Sequence, residues 1–364
     1  MRKIGKQEIE DIAVGAALLG TGGGGDPYIG KLMALQAIEE YGEITLLDVD
    51  EFPDDGLAVP SSMMGAPTVM LEKAPNGEET VAAFRQLEAH LGKKISATFP
   101  IEAGGVNSML PLALAARLDL PVVDVDGMGR AFPELQMVTF YLDGISATPA
   151  VLADEKGNTT LLSTIDNVWT ERIARAATVE MGGSVMTAMY SMSGKNLKDS
   201  GIRGILKLEE EIGKAIRLAK LNNVNPIDEV LKKVGGFKLF SGKVSDINRK
   251  TEAGFARGVA SIEGLNKYKG QTLQLRFQNE HLLAQTEERL LCVTPDLIAV
   301  LDAETGLPIT TEGIRYGARC VAIGIPCHPK WRTEKGIETV GPRYFGYDVD
   351  YIPIEELVKE GVAY

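Results

Sequence analysis

Glu102-Ala-Gly-Gly-Val-Asn107-Ser108, then Met109 to Leu118, then Pro121-Val-Val-Asp124-Val-Asp126-Gly-Met-Gly-Arg130-Ala-Phe-Pro-Glu134: the reading of this run decides the fold. Just before it, Ile95-Ser-Ala-Thr-Phe99 is short, apolar and rich in strand formers, and predicts a strand. Asn107 or Ser108 can cap the apolar, alanine-rich helix predicted over Met109 to Leu118. Leu120 to Val125 predicts a second strand. Strand, helix and strand at this spacing make a βαβ unit with a parallel sheet. Ligands bind such sheets at the carboxyl ends of the strands. Glu102 and Asn107 fall after the first strand, and Asp124 and Asp126 at the end of the second. Asp124 and Asp126 are two apart, so in an extended chain both carboxylates point to one side. Turn capping and ion pairing explain such residues singly, but three carboxylates and an amide beside glycine turns exceed what capping needs.

Working outward, 364 residues are enough for two domains with ample core. A formal net charge of −12 argues against nucleic acid and against an anionic membrane surface. No apolar stretch approaches the ~20 residues that cross a bilayer, and the first residues lack the apolar segment of a signal peptide. The only cysteines are Cys292, Cys320 and Cys327, a sparse, odd set that fits a reducing cytoplasm.

Towards the N-terminus, residues 7–19 predict a helix, and Gly20-Thr-Gly-Gly-Gly-Gly25-Asp26-Pro27 follows it. A helix rather than a strand precedes this loop, so it is not a dinucleotide fingerprint, and no Gly-Lys-Ser/Thr follows to make a Walker A loop. It is either a close-packed interhelical turn or a pocket wall formed by Gly22, Gly23 and Gly24. Ala58 to Met64 and Pro67 to Leu71 predict a strand and loop, with Ser61, Ser62 and Gly65 as site-facing backbone. Beyond Glu134, Met137 to Tyr141, Ala150 to Ala153 and Thr159 to Leu162 predict short strands. Asp166 to Glu180 predicts a helix with Trp169, Ile173 and Ala176 facing in. The methionines between 181 and 192 read as core filler. Ile205 to Leu221 and Pro226 to Val234 predict helices. From Phe237 to about Ile325 the pattern alternates, with a turn signal every eight to twelve residues or so. The expectation is an α/β domain with a parallel sheet and Rossmann-like βαβ units over 1–165, then a helical bridge and a mostly β domain, sandwich or barrel-like, over 166–364. Gln278-Asn279-Glu280-His281 carries a Glu-His pair able to move protons or bind metal, although adjacent strand residues point to opposite faces. Cys327-His328 is reactive chemistry in principle, but the flanking prolines favour a rigid exposed loop.

Several blocks resemble one bacterial and fungal family, found beside or fused to hydantoinase/oxoprolinase subunits, whose named members are S-methyl-thiohydantoin desulfurases. They are Leu19 to Gly30, Gly104 to Ser108, Asp126 to Gln136, Phe277 to Glu280, Pro295 to Gly313 and Val340 to Asp348, spanning nearly the whole chain. The resemblance implies an α/β N-terminal and a β-rich C-terminal domain, and hydrolysis of a small cyclic hydantoin or S-alkyl thiohydantoin. A hydantoinase-like partner subunit, self-association, or a non-catalytic accessory role beside such an enzyme belong to the same expectation. For that chemistry water must attack the ring carbon between two nitrogens, helped by a base or metal and by a donor to the developing charge. Asp124, Asp126, Glu102 and His281 are the candidates to activate water. Asp124, Asp126 and His281 would hold a metal, and such donors suit Zn²⁺ or Mn²⁺. Asn107 and the amides of Gly104 and Gly105 would donate to an oxyanion. Arg130 would clamp a substrate carboxylate, and Glu134 and Asn279 would contact the substrate.

Overall fold

The computed structural model describes residues 1–65, 69, 73, 75–252 and 255–360. The segment predicted over 67–71 lies outside the described residues except for Val69. The N-terminal half is built on β1 (Arg2–Ile4), β2 (Ile44–Leu47), β3 (Leu57–Gly65), β4 (Ala97–Pro100), β5 (Val122–Val123), β6 (Val125–Asp126), β7 (Ala150–Ala153), β8 (Thr159–Leu162), β9 (Ser184–Ala188), β10 (Met192–Ser193) and β11 (Ile202–Arg203). The main sheet runs β1-β2-β5-β4-β3-β9-β7-β8, with β10 also on β3, while β6 pairs with β11. Its centre is parallel, from β2 through β5 and β4 to β3. Its flanks are antiparallel.

The βαβ unit is present as β4, the helix Gly105–Leu118 and β5. That helix is buried from Gly105 to Ala115, because the sheet covers one side and the helices Lys6–Leu19 and Tyr28–Tyr41 cover the other. It starts at Gly105, so Asn107 and Ser108 lie inside its first turn rather than capping it. Two glycines make the early start possible. Gly104 has φ +142° and Gly105 φ +57°, and a Cβ on Gly105 would lie 2.0 Å from Gly24 O. The second strand is split at Asp124, whose N–H still bonds Leu47 O at 2.9 Å. Close packing also joins the helices Lys6–Leu19 and Ile205–Leu221, where a Cβ on Gly15 or Gly213 would lie 2.0 Å from a carbonyl of the other helix.

Two local expectations are corrected. Met137 to Tyr141 is not a strand but leads into a short helix, Thr139–Leu142. Its N–H groups find local carbonyls, Met137 on Glu134 O and Thr139 on Gly127 O, rather than a strand edge. The helix Asn167–Glu180 turns its apolar stripe outward, with Trp169 44% and Ile173 41% exposed. It buries Asn167, Thr170, Glu171, Ala174 and Thr178 instead.

The C-terminal half contains β12 (Phe237–Glu252), β13 (Phe255–Gly264), β14 (Thr272–Gln278), β15 (Glu280–Gln285), β16 (Leu290–Val293), β17 (Leu297–Asp302) and β18 (Arg319–Ile325). They form one antiparallel sheet in the order β16-β15-β14-β13-β12-β18-β17, curled into a half-barrel. The halves share β17 and β18. Leu297, Ala299, Leu301, Val321 and Ile323 join the N-terminal core, while Ile298, Val300, Cys320 and Ala322 join the core of the half-barrel. The period of two thus serves two cores at once. Among the described residues no helix is long and apolar enough to cross a membrane.

Candidate functional site

Glu102, Asn107, Asn279 and Glu280 converge at the base of a solvent-open cleft lined by both halves of the chain. After β4 the chain turns and places Glu102 beside the first turn of the helix Gly105–Leu118. Asn107 Nδ2 donates to Glu102 Oε1 at 2.6 Å, and Phe132 N–H donates to Oε2 at 3.3 Å. Asn107 Oδ1 accepts Met63 N–H at 2.7 Å, which ties the end of β3 to the carboxylate. Burial pushes the Glu102 carboxyl up to about 7, against the pull of its two hydrogen bonds.

Glu280 arrives from the other half. Asn279 turns the chain between β14 and β15 with φ +60°, and its Oδ1 accepts Ala256 N–H at 2.8 Å. Glu280 Oε1 accepts Gly24 N–H at 3.2 Å, and Oε2 has no partner among the described residues. Burial, and then the negative charge of Glu102, push the Glu280 carboxyl well above the usual range. The glycine loop is the seam of this junction. A Cβ on Gly23 would lie 2.0 Å from Glu280 Oε1, and one on Gly22 would lie 2.5 Å from His281 Cε1. Gly22 O accepts both the N–H and the hydroxyl of Thr311. The loop packs closely, and Gly24 lines the cleft.

The walls are apolar and rich in sulfur. Met63 and Met64 come from β3, Met189 follows β9, and Met128 and Phe132 come from the loop after β6. Glu134, Glu171 and Arg175 stand towards the mouth. Glu134 Oε2 accepts from Tyr344 Oη at 2.7 Å, and Glu171 pairs with Arg175. Arg175 lies over the Phe255 ring at 4.4 Å.

Of the residues expected at a site, Glu102, Asn107, Glu134, Gly24 and Asn279 line the cleft, and Gly22 and Gly23 back it. The others have different work. Asp124 accepts the N–H of Leu206 at 2.8 Å and of Lys207, capping the helix Ile205–Leu221. Asp126 Oδ2 accepts the N–H groups of Ala103, Met128 and Gly129, closing the loop after β6. Burial raises Asp124 to about 6 and Asp126 to about 7. The extended run breaks at Asp124 itself, so the two carboxylates serve different backbones. Gly104 N–H donates to Ser108 Oγ, which in turn donates to Glu209 Oε1 at 2.6 Å. Gly105 packs on Gly24. Arg130 is fully buried and binds main-chain carbonyls, not the cleft. His281 faces Gly22, with Nδ1 3.2 Å from Ile298 O, and burial lowers it to about 4, so it is neutral. Cys327 is buried, not exposed, and its thiol is pushed up to about 12 by burial.

Asp124, Asp126 and His281 thus do not form a metal-binding set. Among the described residues no group of three or more His, Cys, Asp or Glu side chains is arranged to hold a metal ion. Sequence reasoning weighed Glu280 only as half of a Glu-His pair and left it out of the site, and it missed the methionine wall and the Glu171–Arg175 pair. The signal for Glu280 was present in the polar run Gln278 to His281, where only one of two adjacent residues could face a site.

In the comparisons, the profile of the S-Me-THD-like N-terminal domain matches residues 7–164, and that of the S-Me-THD-like C-terminal domain matches residues 165–354. A crystal structure of a protein from Chromobacterium violaceum is similar in fold, with a TM-score of 0.80 and 24% identity over 97% of this chain and 100% of that one. No curated protein matches. With the two domain profiles covering it nearly from end to end, the chain belongs to the S-Me-THD-like family, the S-methyl-thiohydantoin desulfurase-like proteins.

Proposed function

We propose that the cleft hydrolyses a small cyclic substrate of the S-alkyl thiohydantoin or hydantoin type, with Glu102 and Glu280 as the working pair. The observation that carries this is their meeting, from opposite halves, at the base of one cleft in unlike settings. Glu102 is held by two N–H donors, which favour its charged form, and it is poised to take a proton near neutral pH. Glu280 is held protonated by burial and by its neighbour, with Oε2 free to give a proton away. Two carboxyl groups with environments of this kind divide into base and acid.

For an S-methyl-thiohydantoin, water adds through oxygen to the ring carbon between the two nitrogens, and Glu102 takes its proton. The C=N electron pair moves to the ring nitrogen, which takes that proton from Glu102; the C–S bond then breaks as the new hydroxyl becomes the carbonyl, Glu280 protonates the departing sulfur and recovers the hydroxyl proton, and the products are the hydantoin and methanethiol. The methionine walls suit an S-methyl group, being apolar, soft and adaptable. Water activation is assigned to a carboxylate because, among the described residues, no group of metal donors is arranged in the cleft.

The test is thiol release from an S-methyl-thiohydantoin, followed with a thiol-reactive dye. Glu102→Gln and Glu280→Gln are each expected to slow it about 10²–10⁴-fold. Absence of thiol release and of hydantoin ring opening in the wild type would sink the proposal. Capture of a hydantoinase-like subunit would then decide for an accessory role.

A further inference from the structure

Arg130 follows β6 in the loop that walls the cleft, and its side chain is fully buried. A guanidinium has five N–H donors. Nε donates to Ala131 O at 3.0 Å, Nη1 to Pro295 O at 3.0 Å and Asp296 O at 2.9 Å, and Nη2 to Thr21 Oγ1 at 3.0 Å and His281 O at 3.2 Å. All five are engaged, and none of the five acceptors is a carboxylate. No donor is left for a substrate. The plane rests on the Phe132 ring at 4.5 Å, and Phe132 lines the cleft.

A buried cation needs a counter-charge. The acidic groups acting on Arg130 are Glu280 first, then Cys327, Cys292 and Asp296. Burial keeps both thiols neutral, and Asp296 already pairs with Arg332 at 3.1 Å. What remains is the pair in the cleft. The hydrogen bonds also have a pattern. Thr21 opens the glycine loop, whose Gly24 N–H holds Glu280, while His281 O is the next carbonyl along β15 from Glu280. Arg130 therefore ties together the two segments that fix this carboxyl.

We infer that Arg130 is a positioning residue, whose buried charge balances one negative charge on the Glu102–Glu280 pair while its five hydrogen bonds clamp the glycine loop to β15. The inference rests on reading those glutamates as the working pair. Glu102 faces Asn107 and Phe132 N–H as donors, Asp126 and Glu280 as acids and Arg130 as cation. At the mouth, Glu171 and Arg175 pair with each other and Glu134 bonds Tyr344.

The experiment is an infrared titration of the protonated-carboxyl band of Glu102, assigned by its loss in Glu102→Gln, in the wild type, Arg130→Lys and Arg130→Met. It needs no substrate. The wild-type band should vanish with a midpoint of about 7. The midpoint should hold in Arg130→Lys and rise by about one unit or more in Arg130→Met. A purely structural staple would weaken both variants, since lysine cannot make five bonds, and would leave the band where it was; one midpoint for all three overturns the inference. Where Arg130→Met does not fold, Arg130→Gln takes its place as the neutral variant. A wild-type band persisting above about pH 9 shows no buried cation at work and overturns the inference, whereas a midpoint near neutrality that is kept in Arg130→Lys and raised in the neutral variant supports it. An Arg130-dependent band without thiol release would remove the proposed reaction and keep the electrostatic role. Thiol release with an indifferent band would do the reverse.

Discussion

Gly23 has no room for a methyl group. A Cβ there would lie 2.0 Å from Glu280 Oε1, and the rest of that carboxyl is nearly as close. Gly23→Ala is expected to displace Glu280 and cost about 1–3 kcal/mol of stability by overpacking. Thiol release should fall more steeply than the folded fraction; denaturant melts and the dye assay on one preparation check both. The carboxylates also show what single residues reveal. Glu102 and Asn107 were legible because a strand end beside a glycine turn is a position with a known use. Asp124 and Asp126 shared that signature and became caps, since which backbone a carboxylate meets depends on where the helix Ile205–Leu221 docks. Glu280 was illegible as a partner of Glu102 because their meeting depends on how the two halves dock.

The helix Asn167–Glu180 is inside out. Its existence and its ends, to within a residue, were plain from the sequence, and in the structure Asp166 caps it, but its facing was not plain. Apolar spacing points a helix inward only where the interior is apolar. Here the interior is a polar loop. Asn167 Oδ1 accepts Ala147 N–H at 2.8 Å, its Nδ2 donates to Ile145 O at 3.0 Å, and Glu171 Oε2 accepts Leu135 N–H at 3.0 Å. Asn167→Ala should cost about 1–3 kcal/mol by stranding buried backbone groups. Ile173→Lys should stay within about 0.5 kcal/mol. Chemical denaturation of the two variants reverses in rank if the apolar stripe is the buried one.

Over the whole molecule, the cores of the two halves share a pair of strands, and several carboxyl groups are buried. The division into α/β and β-rich halves could be read from the period of the pattern, whereas the strand order across the sheet could not, because ladder partners far apart in sequence set it. Glu209 is fully buried, and burial holds it and Glu280 well above the usual 4.5. Burial also raises Glu102 and Asp126 to about 7 and Asp124 to about 6. The folded chain keeps protons that the unfolded chain releases. This stabilisation is complete below the unfolded carboxyl value and is lost as pH rises through the folded values. His281 acts oppositely, but its contribution, lost as pH falls from 6.5 towards about 4, is constant above that range. The melting temperature should therefore fall from about pH 5 to about pH 7, where the raised carboxyl groups outweigh the single histidine. Glu209→Gln, which keeps the Ser108 bond, should flatten the slope by up to about 1.4 kcal/mol per pH unit. Calorimetry across that range checks both.

The chain has two tryptophans, and the fold gives them opposite surroundings. Trp169 stands in water on the outward face of its helix, with Arg172 over the ring at 5.3 Å. Trp331 is sealed, its Nε1 donating to Met128 O at 2.7 Å and its ring set edgewise to Phe132 at 5.2 Å. Met128 and Phe132 both line the cleft, so one fluorophore is wired to the wall of the pocket and the other reads solvent. The protein carries its own reporter of occupancy, with an internal reference 162 residues away along the chain (331 − 169), and whatever enters the cleft can be followed in the blue edge of the emission without a label.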